Sequence, residues 1–442
     1  MKKHQKPLFE RLIEVIKKNI AVYPDTRGVC NNNRYSLEEI ILSAFALFFF
    51  QSSSWLEFQN KMEKQRALNN ARSMFGIKNI PSSNHITQII DELDPQLISS
   101  IFDDICAILI EKNIIESYEF LGKKTLLIAL DGTQYFSSKK IQCDHCLTKT
   151  HGKTTTYSHA ALVASIVSPN SNQIIPLMPE FIKNEDGNVK QDCETNAGKR
   201  WLERFNKLFS QYQIVILGDD LFSREPFVTA TIAQNHNFIY VSKESSHKIM
   251  YEYIKKNQPK EITITKFEKH QKYTYQYRYL NGVPLKKDSK LKNGVNWCEV
   301  TICKNDEKVY YNAFITDIEI TDKNVEDIIK AGRARWKIEN ENNNTLKEHG
   351  YNLEHNFGHG KKHLSEFLLT FNILSFLIHT SLLSCDMEYK TLYEMANSRK
   401  VFFQDLKAVS KFLYFPSFNI MLDFMIKALN DEVCDYNPLD YI

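Results

Sequence analysis

The sequence has almost no net charge: 56 Lys and Arg stand against 53 Asp and Glu over 442 residues, a formal +3. That balance does not point to a chain that holds nucleic acid by bulk attraction, and leaves such binding to local basic patches. Internal repeats and low-complexity tracts are also missing. With 43% apolar and 25% charged residues, the composition is that of an ordinary globular protein. Its length is enough for two or three domains. A disulfide framework is missing too. The nine cysteines are odd in number and scattered, and Met1–Lys6 is not followed by a secretory-type apolar stretch. Reduced thiols and a cytoplasmic location are the expectation. Nor is there a clean membrane span. The run Ile40–Phe50 is too short, and Phe367–Ser384 contains Asn372 and His379 and is bordered by Glu366. Polar groups are costly in lipid, so both runs read as buried core helices.

What the chain does contain changes texture along its length. Residues 1–120 read as a helical N-terminal domain, either DNA-binding or simply a packing domain. Ser36 with Glu39 forms a capping-box pattern, Ser82 opens a helix through Asp91, and Asp94-Pro95 opens another. Residues 121–244 read as the first part of an α/β core. Strands are expected at 124–131, 155–167, 173–178, 213–218 and 237–243, with helices at 196–210 and 223–235. Residues 245–315 form a β-rich insertion of period-two segments, with turns at Asn281-Gly282 and Asn293-Gly294. Residues 316–384 return to the core, and 385–442 form a helical C-terminal region.

Three acidic segments carry the chemistry. Leu126–Leu130 and Ile214–Gly218 read as buried strands ending in Asp131 and in Asp219-Asp220. Arg335 and Glu339 lie four apart on one helix face. Two strand-end aspartates brought to a helix-borne glutamate would make an oxygen-only site suited to Mg²⁺ or Mn²⁺. Asp220 and Glu341 are rivals to Asp219 and Glu339.

In these segments, in Phe314–Asp317 and Gly332–Glu341, and in the opening motifs Trp55–Gln59, Phe75–Ile77 and Ile80–Ser82, the chain resembles the DDE transposases of bacterial insertion sequences. The closest likeness is to their branch with a β-rich insertion before the last acid. The resemblance covers nearly the whole chain. It implies an RNase H-like mixed-sheet core, with Asp131, Asp219 and Glu339 as catalytic carboxylates that hold two Mg²⁺ or Mn²⁺ ions. It also implies cleavage at transposon ends, strand transfer into target DNA, and a homodimer or higher oligomer on DNA. Arg335 matches the family's helix arginine, which contacts DNA or orients the carboxylate. Two positions depart from the pattern. The family's lysine seven residues after the Glu is Leu346 here, with Lys347 one later, and its tyrosine three before the Arg is Gly332. The alternatives are a nuclease of the same superfamily without strand transfer, and a repurposed DNA-binding protein.

Two other groups stand out. Cys143 and Cys146, with His151 and His159, have the residue types of a structural zinc site, although only one CxxC is present. A plain thiol pair in a loop is the rival reading. His355–His363 is a basic, Gly-bearing turn before a helix, where backbone amides, Lys361 and Lys362 could take a phosphate. Asp192 and Glu194 could add acid to the site, or could simply sit well at a helix N-terminus.

Overall fold

A computed structural model describes residues 6–23, 25, 27, 34–62, 65–183, 193–205, 207–268 and 271–430. The chain opens with helices α1 (Leu8–Ala21), α2 (Leu37–Phe49), α3 (Trp55–Met62), α4 (Gln65–Phe75), α5 (Ser83–Asp91) and α6 (Ser99–Glu111). The expected caps form. Ser36 and Glu39 close a capping box on α2, Ser82 caps α5, and Asp94 caps a 3₁₀ turn that leads into α6. Each cap satisfies amides that the first helical turn leaves without a partner.

Strands β1 (Thr125–Ser138), β2 (Leu147–His151), β3 (Thr154–Val167), β4 (Ile175–Pro176) and β5 (Glu180–Ile182) follow, and then α7 (Glu194–Arg204), β6 (Gln213–Gly218), α8 (Glu225–Ala233), β7 (Asn237–Val241) and α9 (Lys248–Lys256). Next come β8 (Lys260–Glu268), β9 (Gln271–Val283), β10 (Val295–Lys304) and β11 (Glu307–Thr316). All eleven strands belong to one sheet, in the order β2-β3-β1-β6-β7-β11-β10-β9-β8, with β4 and β5 added against β3. The β3–β1 pairing is antiparallel, and β1–β6 and β6–β7 are parallel. The β-rich insertion is therefore not a separate sheet, because β11 runs antiparallel along β7 and continues the core sheet outward. Asn281-Gly282 lies inside β9 rather than in a turn. The Asn281 amide is held by the backbone of Ile320 on both sides, at 2.8 and 3.1 Å.

The last part is helical: α10 (Val325–Arg333), a π-helical segment Ile338–Asn344, α11 (Thr345–Glu348), α12 (Leu364–Cys385), α13 (Met387–Met395), α14 (Arg399–Phe412) and α15 (Phe418–Leu429). α12 is long and apolar enough to cross a membrane, but 89% of that stretch is buried inside the protein, against α2, α5, α6, α13 and β4. Helices from the two ends of the chain share one core. The Phe9 ring stacks on Phe418 at 4.2 Å. The Asn70 side chain donates to the carbonyls of Ser410 and Leu413, and accepts from the amide of Phe415. This mixed α/β architecture matches the expected class.

Candidate functional site: two metal-capable clusters

The acidic cluster is built by strand register. Ala129 of β1 pairs with Leu217 of β6, so Asp131 and Asp219 each lie two residues further on, at the same end of adjacent parallel strands. Neighbouring strands run about 4.8 Å apart. β1 does not stop at Asp131, as the Asp-Gly-Thr string had suggested. It continues to Ser138 because β3 goes on pairing with it, Asp131 opposite Val163 and Gly132 opposite Leu162. Only the β6 partner ends there, and this leaves Asp131 beside the open end of β6. A Cβ at Gly132 would come within 2.2 Å of the Glu194 carboxyl carbon, so any larger residue here would displace the Glu194 side chain. Glu194, the first residue of α7, thus lies over β1 next to Asp131. Asp192 lies outside the described residues.

Glu339 reaches the cluster from the π-helical segment, where Asn343 also donates to the Asp131 carboxylate at 2.7 Å. Arg335 bonds Glu339 at 2.6 Å; the arginine is mostly buried and the glutamate is half exposed. Burial pushes Asp131 up to about 7, helped by repulsion from Glu339, Glu194 and Asp219 and opposed by Arg335. Glu194 is raised by burial and by Asp219. Asp131 therefore feels the charge of the other three carboxylates, yet among the described residues they do not close into a tight ligand set, and Glu339 turns to Arg335. Of the rivals, Asp220 is committed elsewhere. Its carboxylate accepts from the Lys243 amide at 2.7 Å and from the Ser246 hydroxyl. The Asp219 carboxylate accepts the local amide of Leu221 at 2.9 Å. Gly332 leaves no room for a side chain, because a Cβ would meet the Phe314 ring at 2.7 Å. Next to it, Tyr310, Asn312, Arg333, Arg335 and exposed Trp336 line a cavity of about 450 Å³.

The second cluster is buried and contains sulfur. Among the described residues, the metal-ligating atoms of Cys143, Cys146, His159 and His359 all lie within 4.8 Å of one another. Such a group can hold a metal ion, and thiolate with imidazole suits zinc rather than magnesium. The cysteines lie between β1 and β2, His159 is in β3, and His359 comes from the segment before α12. This corrects the expected set. His151 sits exposed on the edge strand β2 and takes no part, and His359 stands in its place. No spacing rule reaches a residue 213 positions after Cys146.

The basic positions are mostly occupied. The Asp91 carboxylate takes the amides of Lys361, Lys362, His363 and Leu364 at 2.8–3.1 Å, which fills the anion cradle expected of this turn. Lys362 pairs with Glu92, and Lys347 with Glu354 at 3.0 Å. Leu346, at the family's lysine position, is fully buried and belongs to the core. In the insertion, Lys272, Arg278 and Lys286 each have an acidic partner, and Tyr275 and Tyr277 stack along one strand.

The chain matches no protein-family model, and no curated protein is significantly similar to it.

Proposed function

We propose that the acidic cluster is the active centre of a DDE-type DNA transposase that cuts transposon ends and joins them to target DNA. The observation that carries this reading is the register that sets Asp131 and Asp219 at the same end of adjacent parallel strands, with the charge of Glu339 felt at Asp131. The sheet supports it too. One mixed sheet in which β3 runs antiparallel and β6 parallel to β1 is compatible with the mixed-sheet core that the resemblance implies.

The donor set is all oxygen, which fits Mg²⁺ or Mn²⁺. Burial does most to raise Asp131, and the carboxylate repulsion that adds to it is the kind that a bound dication relieves. Such ions, when held, polarise a phosphodiester and make water or a 3′-hydroxyl a competent nucleophile. Asp131, Asp219 and Glu339 are the ligands in this reading, and Glu194 is a fourth carboxylate within the same field. Asn343 orients Asp131, and Arg335 holds Glu339 and is placed to meet a phosphate. Beside that arginine the exposed Trp336 offers a ring face, and Arg333 lies over the Tyr310 ring, a combination that suits unpaired bases and backbone. Tyr310 of β11 stands near the position that Gly332 leaves without a tyrosine.

The test is incubation of the full chain with DNA carrying its own flanking ends, a target plasmid and Mg²⁺. Joined products support transposition. Hydrolysis alone moves the reading to a nuclease, and DNA binding without either reaction moves it to a repurposed binding protein.

A further inference from the structure

We propose that Cys143, Cys146, His159 and His359 form a closed structural zinc site that staples the β1–β3 hairpin to the segment between the Glu339 helix and α12. Five of the six separations are close to the edges of a tetrahedron, and the sixth, Cys143 to His359, lies within 4.8 Å. Zinc at about 2.3 Å from sulfur and about 2.05 Å from nitrogen requires edges of about 3.8 Å for S···S, 3.5 Å for S···N and 3.3 Å for N···N. The structure has Sγ···Sγ at 3.7 Å, both cysteines at 3.5 Å from His159 Nε2, Cys146 at 3.4 Å from His359 Nε2, and the two Nε2 atoms at 3.1 Å. A disulfide would need its sulfurs at about 2.05 Å. Four ligands from three separate stretches of chain, all aimed at one point, are unnecessary for a thiol pair in a loop.

The surroundings fit the metal as well. His359 Nδ1 lies 2.9 Å from the Gly360 carbonyl, which fixes that nitrogen as the donor and leaves the Nε2 lone pair facing the other three ligands. Cys146, His159 and His359 are buried, and the Phe136 ring packs against both imidazoles, at 5.8 and 4.5 Å. Two thiolates cancel the charge of Zn²⁺, so the occupied site is neutral where water is scarce. No protein-free position remains, so the site is structural rather than catalytic. Its consequence is positional. His359 follows Glu339 by twenty residues, and β1, which leads to the cysteines, carries Asp131, so the staple ties together the two stretches of chain that supply the acidic cluster.

The site stands on its own geometry, and its test needs no DNA reaction. The full-length protein, purified without chelator, is analysed for metal content by plasma mass spectrometry. It is then reloaded with Co²⁺ for visible absorption. About one zinc per chain, and the intense bands of thiolate-bound tetrahedral cobalt, are expected. His359→Ala should lose the zinc, His359→Cys should keep it, and His151→Ala should retain it in full. Zinc content and a cobalt spectrum no different from a chain lacking these cysteines would overturn the proposal, as would equal loss in His151→Ala and His359→Ala. If the alanine variant fails to fold, the native stoichiometry and cobalt spectrum decide the matter.

Discussion

The two clusters draw on neighbouring stretches of chain, Asp131 on β1 and the two cysteines just after it, Glu339 in the π-helical segment and His359 further on, yet they are built in opposite ways. The Cys/His cluster is buried, soft, and already closed to ligand distances. The acidic cluster is hard, open on one side, and strained by like charge, with one arginine among it. A closed set leaves no position for substrate, whereas an open one does. The difference separates a site that holds the fold from one able to act on a ligand.

The sharpest way to break that contrast is to substitute each cluster and read both outputs. Asp131→Asn, Asp219→Asn and Glu339→Gln should each lower DNA cleavage by about 10²–10³-fold or more, while zinc content stays unchanged. Gel assays and metal analysis of the same preparations check this. His359→Ala should behave differently. A melting curve should show a loss of stability on the order of 3 kcal/mol, since one metal staple closes a loop of some two hundred residues. Cleavage should then fall only as far as the Glu339 segment loosens.

Titration sharpens the comparison further. Asp131 is held up to about 7, against about 3.9 in an unfolded chain. Between those values the folded protein keeps a proton that the unfolded chain has lost. The destabilisation therefore grows as pH rises across that window, and is complete above about 7. In metal-free protein, Asp131→Asn should be more stable than wild type by up to roughly 4 kcal/mol at pH 8 and no different at pH 4, as read by urea unfolding. The smallest expected effect belongs to the turn between the clusters. Asp91→Ala frees four amides and should cost about 1–2 kcal/mol.

Local signals were legible in the sequence. The Ser36 box, the Ser82 cap and the edges of β3, β6 and β10 follow from side-chain types and alternation within a few residues. The acidic residues were legible because a carboxylate directly after an apolar run is a local pattern. The continuation of β1 was not, since Asp-Gly-Thr also spells a turn and only pairing with β3 decides between the two. The π-helical register, which brings Asn343 onto the Asp131 carboxylate and Glu339 onto Arg335, has no compositional signature. His359 was hidden for the same reason. Its partners are two hundred residues away, and Asp91, which holds its turn in place, lies in α5, far earlier in the chain.

The central claim is that Asp131, Asp219 and Glu339 act together on divalent cations. Titration of Mn²⁺ into zinc-loaded protein, followed by electron paramagnetic resonance, tests it most directly. The account predicts saturable binding that is weakened by Asp131→Asn, Asp219→Asn and Glu339→Gln alike, with zinc retained throughout. Mn²⁺ binding that is indifferent to all three substitutions would contradict it.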